Sequence, residues 1–151
     1  MTTMTPATAA AASTLAPKSA DEIELARVQQ LLQVTKPTGV WWAELAHRLD
    51  GLSDRMWEHR AAVEGPGGLH SQILADEPRL AAQIDRLERE HSDLADRLLA
   101  TRLLVGRHAG DPRRAATVVT AVADLLARLR SHQRRAREIV YDAYLVDLGG
   151  E

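Results

Sequence analysis

The sequence predicts an all-α protein, an antiparallel helical bundle with one short and three long helices behind a disordered N-terminal tail. Three observations predict it. Apolar residues recur at alternating steps of three and four, which is typical of helices that pack along a seam. Proline and glycine signals separate the helical segments, and no segment alternates with the period of two that a strand requires. We expect residues 1–18 to form the tail and residues 19–148 to form one bundle domain.

The short helix is predicted from Ser19 to about Val34. The residues before Ser19 are mostly Met, Thr, Ala, Ser and Pro, a composition that buries too little apolar surface to fold. Ser19 and Glu22 have the spacing of a capping box, and Pro37 lies beyond the end of the helix. The residues expected to face inward are Leu25, Val28, Leu31 and Leu32.

The first long helix is predicted over residues 39–64. Thr38 stands at the capping position, and the run Gly65-Pro66-Gly67-Gly68 ends the helix. A single helical turn is predicted over residues 69–75. The inward series of the long helix is Trp42, Leu45, Leu49, Leu52, Met56, His59 and Val63.

The other two long helices begin with the same signal, an aspartate followed closely by a proline. Asp76 is expected to cap the first of them, with Pro78 in its first turn, and the helix should end between residues 106 and 110. Asp111 and Pro112 start the second, which should run to about Asp147. Their inward series are Leu80, Ile84, Leu87, His91, Leu94 and Leu98, and then Val118, Val122, Leu125, Leu129, His132, Ala136, Ile139 and Ala143.

Three histidines occupy seam positions where leucine would be expected: His59, His91 and His132, one on each long helix. His91 and His132 lie at similar distances from the turn at residues 106–111, so we expect them to face each other. If the helix tips are level, His59 lies roughly 15 Å away along the axis, too far to share an ion with His91. Only if the second long helix extends beyond the end of the first could His59 join the pair. His47 falls just off the seam, whereas His70 and His108 fall in or near loops.

Inward histidines have two interpretations. Neutral imidazole is a common ligand for iron, zinc and copper, which favours a metal site. Alternatively, each histidine is a core residue satisfied by a hydrogen bond or a buried water. Both interpretations stay open at this point.

Three segments resemble the hemerythrin-like family of four-helix bundles, which carry the HHE cation-binding domain: MWEHRAAVEGPGGLHSQI, RLEREHSDLADRLL and LARLRSHQRRAREIVYDAY. The resemblance implies a non-haem iron centre. Its implied ligands are His59 with Glu64, His91, and His132 with Glu138. The family places a glutamate four residues after a histidine. Val63 and Ala136 occupy those positions here, so the resemblance implies an incomplete site.

Composition excludes several classes of protein. The chain has no cysteine, so disulfides, thiolate nucleophiles and cysteine-based metal sites are excluded. No apolar run approaches the roughly 20 residues that span a bilayer. Lys18 and Lys36 are the only lysines among 19 basic residues, an arginine bias that suggests a bacterial source. No catalytic motif is evident, so we expect a cytoplasmic binding protein rather than a conventional enzyme.

The alternative function is a metal-free interaction or scaffold bundle, with a second copy or another protein as its partner. It would use Trp57, which lies just off the seam, and the arginine-rich stretch from Arg107 to Arg137. The net charge of −2 and the lack of interleaved aromatic residues argue against nucleic acid as the partner. The apolar segment Tyr141–Leu148 is expected to dock on the bundle or on another subunit.

Overall fold

The computed structural model describes residues 20–144 and confirms the all-α class. Helix α1 spans Ala20–Leu31, α2 Gly39–Glu64, α3 Leu69–Asp76, α4 Ala81–His108 and α5 Ala115–Tyr144. Short 3₁₀ turns, Pro78–Leu80 and Pro112–Arg114, lead into α4 and α5. No strand occurs among residues 20–144. The predicted tail, the Ser19 cap and the end of the docking segment lie outside the described residues.

Helices that follow one another along the chain run antiparallel, as predicted. Early residues of α1 contact late residues of α2, as in the ion pair of Asp21 with Arg55. The start of α4 likewise meets the end of α5, where Arg79 binds Asp142. Helix α4 packs against both α2 and α5, and α1 lies mainly on α2.

The short helix α3 accompanies an offset of α2 and α4 along the bundle axis. Glu64, the last residue of α2, contacts His91, which lies ten residues after the start of α4. At about 1.5 Å per residue, α4 therefore extends roughly 15 Å beyond the end of α2. Helix α3 fills the space beside this overhang, where Leu69 and Ile73 are buried. Of the two alternatives, the structure has the one in which the second long helix extends beyond the first, because residues 69–76 form a packed two-turn helix instead of one turn.

The apolar core consists of two clusters on either side of the histidines. The larger one joins α1, α2, α4 and α5, and its fully buried residues include Val28, Leu45, Leu49, Val118, Val122 and Leu126. The smaller one joins the end of α2 to α3, α4 and α5, and includes Val63, Ile73, Leu80, Ile84 and Val140. On one side of His91 the core is thus formed by α1, α2, α4 and α5. On the other side it is formed by the end of α2 with α3, α4 and α5.

The predicted seams are largely confirmed. All six inward residues of α4 are buried, as are Trp42 and His132. His59 is the exception, because its side chain is exposed. Trp41 was not predicted to be buried, yet its indole Nε1 donates to the Leu31 carbonyl oxygen at 2.7 Å.

The predicted capping residues differ in outcome. The Asp111 side chain accepts a hydrogen bond from the Arg113 amide, as a capping residue should. Thr38 holds the capping position of α2, but its side chain makes no capping hydrogen bond. The prediction for Asp76 was wrong, because Asp76 is the last residue of α3 and Glu77 precedes the 3₁₀ turn.

Candidate metal centre

Four histidines meet where α2 ends. The ring centre of His91 lies 4.4 Å from that of His132, 5.8 Å from that of His59 and 6.1 Å from that of His70. His91, His132 and His70 are buried, with 3%, 6% and 6% of their surfaces exposed. The expectation that His91 and His132 face each other is confirmed.

Three of these rings are held by carboxylates at Nδ1. Oε1 of Glu64 lies 2.5 Å from Nδ1 of His91. Oε2 of Glu90 lies 2.7 Å from Nδ1 of His132, and Oε1 of Glu88 lies 3.1 Å from Nδ1 of His70. An ionised carboxylate only accepts hydrogen bonds, so the Nδ1 atom that faces it carries a proton.

Two of the carboxylates are fixed by arginines. Arg60 donates to Glu64 at 3.0 Å, and Arg135 approaches Glu90 at 2.8 Å. Burial alone would raise the pKa of each glutamate, but hydrogen bonds from the arginine and the histidine outweigh it and lower both pKa values. Glu64 and Glu90 are therefore ionised at neutral pH.

His91 and His132 are neutral at the same pH. Burial lowers the pKa of His91 to about 4, although the hydrogen bond to Glu64 opposes the shift. Burial also lowers the pKa of His132, against the opposing effect of Glu90. A neutral imidazole whose Nδ1–H is held by a carboxylate is the form in which histidine binds metal ions through Nε2.

One fully buried ring nitrogen in the cluster lacks a partner among the described residues. Nε2 of His132 is buried and accepts no hydrogen bond from any described residue. A buried lone pair without a donor is costly, which marks this nitrogen as a place for a ligand.

The structure brings together part of the predicted site. His59 lies against the ring of His91, as expected for the alternative in which α4 extends beyond the end of α2. It is nevertheless exposed at the edge of the cluster, near the start of α1. Glu64 joins the cluster as a partner of His91. Glu138 is exposed, while Ala136, two residues before it, lines the cavity beside the histidines.

Sequence reasoning missed three members of the cluster: His70, Glu88 and Glu90. His70 was assigned to a loop region, but α3 carries it beneath His91. Glu90 precedes His91 directly, and its side chain therefore turns toward α5 while His91 faces α2. The available sequence signal was the position of Glu88 and Glu90, three residues and one residue before His91. Side chains at these positions lie beside the seam, where they can reach the neighbouring helices.

A second group of ligand atoms adjoins the first. Single atoms of Glu64, His70 and Glu88 all lie within 4.8 Å of one another, the spacing of side chains that can share one ion. Because Glu64 also contacts His91, this group is continuous with the histidine cluster. Carboxylate oxygens therefore adjoin the histidine rings, although none comes from a predicted seam position.

The arginines of the stretch from Arg107 to Arg137 mostly have partners within the chain. Arg128 pairs with Asp124, Arg135 with Glu90, and Arg137 with Glu22. The Arg130 side chain donates to Gln29. The contacts of Arg130, Arg135 and Arg137 join α5 to α1 and α4, whereas the pair of Arg128 with Asp124 lies within α5.

No protein-family model, curated protein or solved structure matches the chain. Among the helices described, none has both the length and the apolar character needed to cross a membrane.

Proposed function

We propose that the histidine cluster binds a divalent transition metal, non-haem iron or zinc, in a bundle of the hemerythrin-like type. The observation that carries the proposal is the unpartnered, buried Nε2 of His132, whose ring lies 4.4 Å from that of His91. Two neutral imidazoles with their Nδ1 atoms held by carboxylates are preorganised to bind a metal ion, because the protein has already fixed the tautomer and the orientation of each ring.

The ring spacing supports a shared ion. With metal–nitrogen distances of about 2.1 Å, rings that bind one ion have centres on the order of 5 Å apart. The spacings of 4.4 Å to His132 and 5.8 Å to His59 bracket this value. His91, His132 and His59 are therefore the proposed nitrogen ligands, and the exposed His59 closes the site from the solvent side.

Anionic charge for the site comes from the glutamates. Glu64 contacts His91, Glu88 lies within 4.8 Å of Glu64 and His70, and Glu90 holds the ring of His132 through its Nδ1 atom. Imidazole together with carboxylate is a ligand set that suits iron and zinc. Glu138 is not part of the proposed ligand set, because its side chain is exposed.

Melting curves with and without Fe²⁺ or Zn²⁺ test this proposal. A metal that binds only the native state stabilises the protein by about 2.7 kcal/mol at a hundredfold excess over the dissociation constant. We expect this gain in the wild type and in His47→Leu, where the changed side chain is exposed. We expect it to disappear in His132→Leu. An equal gain in His132→Leu, or no gain in the wild type, contradicts the proposal.

The second candidate is a protein-interaction role, favoured by the exposure of Trp57. Its side chain is 62% exposed, with the Arg60 guanidinium 5.8 Å from the ring centre. Tryptophan and arginine are enriched at protein interfaces. If this surface binds a second copy, sedimentation velocity should show a dimer that Trp57→Ser abolishes and Val40→Ser, at another exposed site of α2, preserves. A wild-type monomer at high protein concentration contradicts self-association.

A further inference from the structure

A cavity of about 260 Å³ lies beside the histidine cluster, between α1, α2, α4 and α5, and is open on one side. Its walls are aliphatic, formed by Leu25, Leu52, Met56, Leu94, Leu98 and Leu129. The rings of His59, His91 and His132 border its polar end. An engineered apolar cavity of about 150 Å³ holds benzene, so this one has room for a single-ring molecule with a substituent.

The polar end of the cavity requires a hydrogen-bond donor. Because Nδ1 of His132 donates to Glu90, its Nε2 has a lone pair to offer and no proton. That nitrogen is buried and has no partner among the described residues. A hydroxyl group can donate a hydrogen bond to such an acceptor. A carboxylate or a carbonyl cannot, because its oxygens are acceptors only.

The charges at the open side do not select an anion. Two arginines line the cavity there, Arg55 and Arg137. Asp21 pairs with Arg55 at 3.4 Å, and Glu22 pairs with Arg137. Each guanidinium is thus matched by a carboxylate from the first turn of α1, which leaves the entrance suited to a neutral molecule.

We propose that this cavity binds a small neutral phenol-type molecule, with its ring among the leucines and its hydroxyl donating to Nε2 of His132. The inference goes beyond metal binding and does not require it. A metal ion and the hydroxyl group use the same nitrogen, so the two ligands compete for the free protein.

The test compares phenol, fluorobenzene and benzoate, titrated calorimetrically into chelator-treated full-length protein at pH 7.5. Fluorobenzene has nearly the shape of phenol but no donor, and benzoate is an anion. We expect phenol to bind roughly five- to tenfold more tightly than fluorobenzene, the contribution of one hydrogen bond, and benzoate to bind least. Because metal is absent, the result does not depend on the proposed metal site.

Two variants test the hydrogen-bond acceptor and the cavity space separately. His132→Leu removes the acceptor, so phenol and fluorobenzene should bind within about twofold of each other. Leu129→Phe fills the cavity and should weaken both, whereas Leu99→Phe, at an exposed site of α4, should leave both unchanged. Circular dichroism confirms that each variant folds. Absence of phenol binding to the wild type, equal affinity for phenol and fluorobenzene, or tightest binding of benzoate overturns the proposal.

Discussion

Glu64 and His91 join the end of α2 to the middle of α4, with Oε1 of Glu64 2.5 Å from Nδ1 of His91. Glu64 is also held by Arg60, and His91 is the ring around which the other three histidines gather. The contact therefore sets both the register of two helices and the orientation of the central ring.

The role of Glu64 predicts the effect of removing its charge. Partners of metal-binding histidines typically contribute ten- to a hundredfold to metal affinity. We expect Glu64→Gln to weaken Zn²⁺ binding by about that factor, measured by calorimetry, and Glu58→Gln, at an exposed position of the same helix, to have no effect. Unchanged affinity in Glu64→Gln would show that the contact does not support a metal ligand.

The metal-free protein should tolerate loss of the His132 imidazole, whose Nε2 has no hydrogen-bond partner among the described residues. His132→Leu replaces a buried polar ring by an apolar side chain, and Glu90 keeps its ion pair with Arg135. We expect the free energy of unfolding in urea to change by less than about 1 kcal/mol or to increase. A loss above about 2 kcal/mol would mean that the His132–Glu90 contact has a structural role.

The metal-free protein should lose stability in acid. His91 has a pKa near 6.5 when unfolded and about 4 when folded, so the unfolded state takes up the proton first. Stability is therefore full above pH 6.5 and falls between pH 6.5 and 4, by about 3 kcal/mol from His91 alone. Further loss follows at lower pH as Glu64 and Glu90, whose folded pKa values are lowered, become protonated.

Urea unfolding at several pH values measures this dependence. The charged or titratable groups around the His91 ring are Glu64 and His59 from α2, His70 from α3, Glu88 and Glu90 from α4, and His132 and Arg135 from α5. His91→Gln should flatten the curve between pH 6.5 and 4, and His47→Gln should not. A wild-type stability that is constant from pH 7 to pH 5 would contradict the burial of a neutral His91.

The sequence predicted the helices and seams because local signals determine them. Leu45 and Val122, for example, fall on period-3.6 faces that only a helical bundle buries together. The relative height of the helices was not predictable in the same way. It depends on α3, an eight-residue segment whose packing beneath His91 is a tertiary effect.

For a related reason, the periodicity pointed only to the site residues that lie on the seams, and Glu64 was named by the family resemblance alone. His91 and His132 lie on apolar stripes and stand out by their polarity. Glu88 and Glu90 lie off the stripe, where carboxylates are ordinary surface residues, and only the packing of α3 and α5 turns them toward histidines. Side-chain direction at such boundary positions follows from tertiary packing, which periodicity does not encode.

The larger core cluster should respond to truncation as a close-packed interior. Leu49 is fully buried, whereas Leu103 is 63% exposed on α4. We expect Leu49→Ala to cost about 2–5 kcal/mol in urea unfolding and Leu103→Ala to change stability by less than about 0.5 kcal/mol. Similar effects in the two variants would contradict the packing of α2 into the core.

Elemental analysis of the untagged protein tests the central claim most directly. The protein is incubated with Fe²⁺ without oxygen, or with Zn²⁺, then dialysed, and its metal content is compared with that of the double variant His91→Leu/His132→Leu. We predict about one equivalent of iron or zinc in the wild type and almost none in the variant, with helical circular dichroism in both. Less than about a tenth of an equivalent in the wild type, or equal metal in the variant, would contradict a metal centre at these histidines.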